Sequence, residues 1–437
     1  MLKLYDVETA KETILKRQPL STQQVPEKIK RGVEEIFGNG VSPTQAVGQI
    51  MASVRDEGDA ALQRWTQVLD NTDLDTFLTP AEELEDAYRH LPEDIKKALD
   101  TAVERIRDFH QRQPLPDWTT TDMGGSLGQR VTPVQRAGVY VPGGTAPLPS
   151  SLLMSVIPAQ VAGVKRVIVT TPPNPDPTIL ASAQLCGIEE VYQIGGAQAI
   201  AAMTFGTESV PKVDKIVGAG NLFVTIAKQQ AYGIVGLDGL AGPTETMVIA
   251  DENANPEWVA SDLLAQAEHD VLASAILLTP SRKLALAVQR EVVQQVETLS
   301  RAEIILQSLE NKGGAVITPD LKTAAKLADD YAAEHLCLAV KDPVGLAEKI
   351  NNAGGFFLGD HSFEVLGDYV AGPSHIMPTG GTARFASPLN VMDFVKISSM
   401  VALDPDTGKD LSPTAARIAR VESLTAHAAS ADFRSES

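Results

Sequence analysis

The stretch AGVYVPGGTAPLPSSLLMSVIPAQVAGVKRVIVTTPP, residues 137–173, decides the fold class. A β-branched run closes at Pro142-Gly143, an apolar stretch from Pro149 to Gly163 reads as a helix, and VKRVIVTT ends at a second proline turn. Strand, helix and strand in that order form a βαβ unit, whose two strands lie parallel. The pattern continues with IEEVYQIGG, the small-residue helix AQAIAAMTFG, and VDKIVGAGN. A second block of the same kind starts at TETMVIAD (244–251). It runs through NPEWVASDLLAQAEHD, SAILLTP, SRKLALAVQREVVQQVETL and GGAVITP to about residue 388. Two α/β lobes are expected rather than one very wide sheet.

Around these blocks the reading is helical. Residues 41–66 carry helical periodicity after a Ser-Pro start, and 80–113 read as two more helices. From Leu389 onward, LSPTAARIARVESLTAHAASADF predicts a helix pair too small to hold a core of its own. Such an extension docks on its own body or on a partner.

A net charge of -19 without a Lys/Arg run repels phosphate backbones and anionic lipid surfaces, so nucleic acid and membrane are poor partners. No run approaches the roughly 20 apolar residues that span a bilayer, and the N-terminal residues lack the pattern of a secretory signal. A cytoplasmic, reducing setting is expected. The two cysteines, Cys186 and Cys337, sit in apolar contexts suited to core packing, which leaves no disulfide framework and no thiolate metal site.

Four of the seven histidines lie in short acid-bearing motifs. Gln266 and His269 are three apart on an expected helix, so both face one side and can reach one metal ion. Glu334-His335 falls at a helix-to-strand junction and pairs a carboxylate with an imidazole that titrates near neutrality. GDYVAGPSH brings Asp368 and His375 into an expected loop, with Asp360 a rival carboxylate that spacing alone does not exclude. Glu422 and His427 are five apart on an expected helix near the C-terminus. Imidazole and oxygen donors without thiolate suit a working zinc site, either in a dehydrogenase or in a hydrolase that activates water. His90, His110 and His361 lie in polar contexts and are expected at the surface. VGAGN and GGAQA lack the third glycine of the dinucleotide fingerprint, so spacing alone does not establish NAD binding.

The series GVYVPGG, IGGAQAIAAM, VDKIVGAGN, GPTE, LLAQAEHD, AEHL, GDYVAGPSH and ESLTAH, in this order over residues 35–430, resembles the histidinol dehydrogenase family. The resemblance implies zinc-dependent homodimers that oxidise L-histidinol to L-histidine through the aldehyde with two NAD, at the end of histidine biosynthesis. It implies two incomplete nucleotide-fold (Rossmann-like) lobes, residues 36–138 with 247–388 and residues 139–246. A helical N-terminal extension (1–35) precedes them, and a C-terminal extension (389–437) reaches the partner subunit. Zinc would be held by Gln266, His269 and Asp368, with His427 from the other subunit, which resolves the choice against Asp360. Glu334 and His335 would be the acid/base pair. Thr244, His335, His375 and Glu422 would surround the substrate together with the zinc ligands, and Tyr140, Gln198 and Asn221 would contact NAD.

Five positions depart from the family pattern: Thr244 stands for serine, Ala219 and Ala333 for proline, Ser374 for asparagine and Ser423 for glycine. None removes a ligand or the pair. They leave open relatives that oxidise other alcohols, such as sulfopropanediol, though retention of Glu422 and His427 favours histidinol.

Overall fold

The computed structural model describes residues 2–17, 25–143 and 147–435. Residues 18–24 of the expected N-terminal extension and Gly144 of GVYVPGG lie outside them. In chain order the strands are β1 (Leu4–Asp6), β2 (Trp118–Thr120), β3 (Ser126–Pro133), β4 (Arg136–Tyr140), β5 (Arg166–Thr171), β6 (Val191–Gln193) and β7 (Lys215–Val217). They continue as β8 (Gly236–Leu237), β9 (Glu245–Ala250), β10 (Ser274–Thr279), β11 (Gly314–Ile317), β12 (His335–Ala339), β13 (Gly355–Leu358) and β14 (Val395–Ala402). The expected α/β class holds, with two parallel sheets, β1-β11-β10-β9-β12-β13 and β6-β5-β4-β7-β8.

Every residue of β9 and β10 is buried, because helices cover both faces of their sheet. Val248, Ala275, Leu277 and Ala315 face one core, shared with the helices Pro256–Ala267 and Arg282–Val296. Met247, Ile249, Ile276 and Val316 alternate into the other, shared with the helix Leu321–Tyr331. The helices Gly196–Phe205 and Leu222–Ala231 pack against the five-stranded sheet around Tyr140, Ile168 and Ile216.

The sheets draw boundaries that the sequence did not. The N-terminal extension, expected to be helical, supplies β1 as the edge strand beside β11, and Leu2 is buried. The helices Pro43–Glu57 and Asp59–Asp70, expected with the first lobe, bury Val47, Ile50 and Leu62 in the core of the five-stranded sheet. Ser42 and Gln45 close a reciprocal capping box at the start of the first of them.

Two compact units result: Met1–Arg112 with Gln135–Asp393, and Gln113–Val134 with Phe394–Ser437. The second holds the antiparallel sheet β14-β3-β2 and the helices Pro405–Val421 and Thr425–Ser435, so the C-terminal segment is not purely helical. Glu422 caps the first of these helices and His427 lies on the second, which corrects their expected placement on one helix. Cys186 and Cys337 are free and buried, as expected. His110 is also buried, at 1% exposure, against the expectation of a surface residue; it closes the inner face of the helix Glu93–Gln111 beside Ile106.

One turn is held by glycine for a steric reason. Gly218, after β7, has φ +109°, and a Cβ there would meet the Tyr140 carbonyl oxygen at 2.2 Å. Its N–H donates to Asp238 at 2.7 Å, and its carbonyl accepts from the buried Lys228, which pairs with Asp238 at 2.5 Å. Gly218→Ala is expected to cost about 1–3 kcal/mol through backbone strain and this clash. A urea midpoint equal to that of the parent protein would contradict the assignment.

Candidate active site

Two sheet edges carry the chemistry. In the five-stranded sheet the connection order reverses between β4 and β7, which opens a crevice at their carboxyl ends, the usual ligand position in open α/β sheets. Tyr140 ends β4, and its hydroxyl accepts from the Gly196 N–H at 3.2 Å. Burial pushes its pKa up to about 12, so it stays a neutral phenol. Asn221 follows β7 and caps the helix Leu222–Ala231 by accepting from the Phe223 and Val224 N–H groups. Gln198 is fully buried; its Nε2 donates to Asp70 at 3.1 Å, while its Oε1 has no hydrogen-bond partner.

The other site lies at the amino ends of β9 and β12. His335 begins β12, and Glu334 immediately precedes it. Both are buried, at 3% and 6% exposure, which is costly for charged groups unless each finds partners. Glu334 Oε2 accepts from the Thr244 hydroxyl at 2.5 Å and from the Glu245 N–H at 3.0 Å. The imidazole contacts the Glu245 carbonyl through Nδ1 at 3.2 Å and Asp368 through Nε2 at 3.3 Å. Phe357 stacks along the ring, with centroids 5.7 Å apart.

Gln266 sits in the last turn of the helix Pro256–Ala267. His269 lies just beyond that helix, since Glu268 is the cap, so the expected shared helical face is a helix end followed by a turn. The Gln266 amide is oriented to satisfy both of its ends. Its nitrogen donates to Glu364 Oε1 at 2.5 Å and its oxygen accepts from the Glu245 N–H at 3.1 Å, while the single Thr244 hydroxyl proton is committed to Glu334. Asp368 is on the short helix Glu364–Tyr369, not in the expected loop, because Phe363-Glu364 starts a turn that the glycines of the motif do not interrupt. His375 does lie in irregular chain. Its Nδ1–H donates to the Asp368 carbonyl at 2.8 Å, leaving Nε2 to accept from the Ser151 hydroxyl at 3.2 Å.

Glu364 was missed by the sequence reading. It precedes Asp368 by four residues, a same-face spacing on a helix, but that signal vanished once the segment was read as a loop. Glu364 is 1% exposed, and its Oε2 has no hydrogen-bond partner. His335, Glu364 and Asp368 each present a ligating atom within 4.8 Å of the others. Asp360 bears instead on Asp262, whose pKa burial and that neighbouring charge raise to about 7.

The electrostatics divide the groups into roles. Burial raises Glu334 to about 7, opposed by His335 and by the Thr244 hydroxyl. Burial alone would lower His335, but the Glu364, Glu334 and Asp368 carboxylates outweigh it and raise the imidazole to about 10. Asp368 stays below the usual carboxylate range despite its burial, held there by the hydrogen bond and charge of His335. Burial lowers both His269 and His375, which keeps them neutral and able to act as donors of a nitrogen lone pair. Asp368 and the unpartnered Glu364 oxygen, whose ligating atoms lie with that of His335 within 4.8 Å of one another, are donors of the kind a zinc ion takes. His269 is a neutral nitrogen donor whose charge state Asp368 influences.

A crevice at the carboxyl ends of one parallel sheet and a buried carboxylate–imidazole pair at the amino ends of another give an α/β enzyme scaffold equipped for proton transfer. The profile of the histidinol dehydrogenase family matches residues 39–435. Histidinol dehydrogenase of Thermus thermophilus is 50% identical over 399 residues, covering 91% of this chain and 96% of its own. That of Deinococcus radiodurans is 48% identical over 416 residues, covering 94% and 95%. The crystal structure of histidinol dehydrogenase from Elizabethkingia anophelis superposes with a TM-score of 0.90 at 34% identity, covering 99% of this chain and 98% of that one. The chain belongs to the histidinol dehydrogenase family.

Among the carboxylates around His335, Glu364 raises its pKa most. Glu364→Gln removes that charge and is expected to lower the His335 pKa in the metal-free protein. Histidine-selective NMR titration measures this directly, and an unchanged titration would show that the Glu364 charge is not felt.

Proposed function

We propose that this protein is a zinc-dependent L-histidinol dehydrogenase that oxidises L-histidinol to L-histidine through L-histidinaldehyde with two NAD+, completing histidine biosynthesis. The observation that carries this reading is the buried Glu334–His335 pair, held by the Glu245 main chain and Asp368 in a chain of this family. Gln266, His269 and Asp368 would hold zinc together with His427 of the partner subunit. Bound there, the metal supplies an anchor for a substrate bearing an imidazole and an amine.

Hydride leaves an alcohol carbon readily only when the hydroxyl proton leaves with it. Against its burial, the neighbouring carboxylates raise the His335 imidazole to about 10 in the metal-free protein. With the Asp368 charge drawn to a bound metal, His335 would be neutral; it takes that proton, the C–H electron pair goes to the nicotinamide, and the aldehyde forms. Water then adds to the aldehyde carbon. Glu334 accepts the water's proton, and the hydrate gives up its second hydride to a second NAD+. Release of one further proton leaves the carboxylate. Thr244 and the Glu245 N–H keep Glu334 oriented for this.

His375, fixed by Ser151, lines the substrate site, and Glu422 offers its charge to the substrate amine. Tyr140, Gln198 and Asn221 receive NAD at the β4/β7 crevice. The unpartnered Gln198 Oε1 supports this assignment, since a buried acceptor calls for a donor. The C-terminal segment 389–437 reaches across a homodimer, so the active sites are shared. The expected setting is cytoplasmic, and among the described residues no helix is long and apolar enough to cross a membrane.

Limiting L-histidinol is expected to yield two NADH per molecule with zinc-loaded protein and none after chelation. One NADH would mean that the chemistry stops at the aldehyde. Hydrolysis of an ester or amide without nicotinamide would point to a zinc hydrolase instead. Sharing of sites is tested by refolding His427→Ala chains with Glu334→Ala/His335→Ala chains. Activity should return in the mixture above either parent, and its failure to return would contradict the exchanged extension.

A further inference from the structure

The N-terminal arm is tied into the six-stranded sheet by β1 and by Ala10 and Ile14, which are buried in the same core as Tyr331 and Leu336. It delivers Arg17 to the amino edge of that sheet. The guanidinium pairs with Glu245 through both terminal nitrogens, Nη1 to Oε1 and Nη2 to Oε2, the latter at 2.9 Å. Its Nε and Nη2 also donate to the Tyr331 carbonyl at 3.0 and 2.7 Å, and Nη2 donates to the Ala332 carbonyl at 3.3 Å. Its Cζ lies 3.5 Å from the centroid of the Tyr331 ring.

These partners are not scattered. Tyr331 ends the helix Leu321–Tyr331, and Ala332 caps it in the left-handed conformation, φ 54°. The carbonyls that Arg17 satisfies are therefore ones that a helix end leaves without intrahelical partners. Two residues further on stands Glu334, followed by His335. Glu245, the other partner, holds Glu334 with its N–H and His335 with its carbonyl. The Gly380 N–H fixes the same Glu245 carboxylate from a third side, at 3.2 Å.

We propose that Arg17 is a positioning residue for the acid/base pair: it locks Glu245 to the helix end at Tyr331 and Ala332, and so sets where Glu334 and His335 stand. The inference rests on the role given to that pair above. It reaches outside residues 39–435, the part of the chain that the family profile covers. The site needs arginine rather than lysine, because a planar fork serves the carboxylate and the two carbonyls at once, whereas an ammonium is a point charge on a flexible stem.

The test compares parent protein, Arg17→Lys and Arg17→Ala, all zinc-loaded, for kcat, the KM of each substrate and thermal midpoint. The histidine-selective NMR signal of His335 is recorded alongside. Arg17→Lys is expected to remain folded and to lose roughly tenfold to hundredfold in kcat, the scale of an ångström-size misplacement. The KM for NAD should stay within about threefold, and the His335 signal should move. Added guanidinium ion should restore part of the kcat of Arg17→Ala.

A folded Arg17→Lys with parental kcat and an unmoved His335 signal overturns the proposal. If Arg17→Ala does not fold, Arg17→Lys decides alone. A parent protein that makes no NADH from L-histidinol refutes the assigned reaction, and the His335 signal still decides the role of Arg17.

Discussion

Glu245 spends its main-chain N–H on the Glu334 carboxylate and its carbonyl on the His335 imidazole. Both bonds exist because β9 and β12 pair in parallel, His335 opposite Thr246, so that the first residue of one strand stands beside the first residues of the other. The interior strands of a parallel sheet leave main-chain groups exposed where they begin. Here those groups compensate a carboxylate and an imidazole that burial would otherwise penalise heavily. Around this core, Thr244 and Asp368 complete the hydrogen bonds of the pair, Gln266 links the Glu245 N–H to Glu364, and Arg17 holds the Glu245 carboxylate.

The two lobes use opposite sheet edges. The crevice with Tyr140, Gln198 and Asn221 lies at carboxyl ends, whereas the buried Glu334–His335 pair lies at amino ends. The segment 374–380 joins them. Ser374 donates to the Met154 carbonyl at 3.1 Å, and His375 takes the Ser151 hydroxyl, both on the helix Pro149–Val161 that follows β4. Thr379 accepts from the Gly242 N–H, two residues before Thr244. Direct hydrogen bonds thus connect this segment to the helix after β4 on one side and to the chain before β9 on the other.

Much of this was legible in the chain. The alternation of strand and helix from Ala137 to about residue 388 fixed both parallel sheets, since buried strands and amphipathic helices carry distinct periodicities. Glu334, His335, Asp368, Gln266 and Thr244 were named together through family resemblance, and hydrogen bonds link them or their neighbours in the structure. What stayed hidden depends on contacts far apart in sequence. β1 is three residues long and gains its identity only from β11. The helices at 43–70 have an apolar face but nothing local to say which sheet it meets. Glu364 and Arg17 are ordinary charged residues until burial and partners distinguish them, and the 367–375 motif read as a loop because its glycines masked a short helix.

The proposed reaction turns on whether His335 takes the alcohol proton. The direct measurement is the pH dependence of the first hydride transfer, followed by NADH formation in a single turnover, in the parent protein and in His335→Asn. The account predicts that the parent rate falls as pH drops through one ionisation, because the protonated imidazole cannot accept the proton. His335→Asn should be slower by roughly 10²- to 10⁴-fold and lack that acid limb. Persistence of the same limb in His335→Asn would show that another group is the base and would contradict the account.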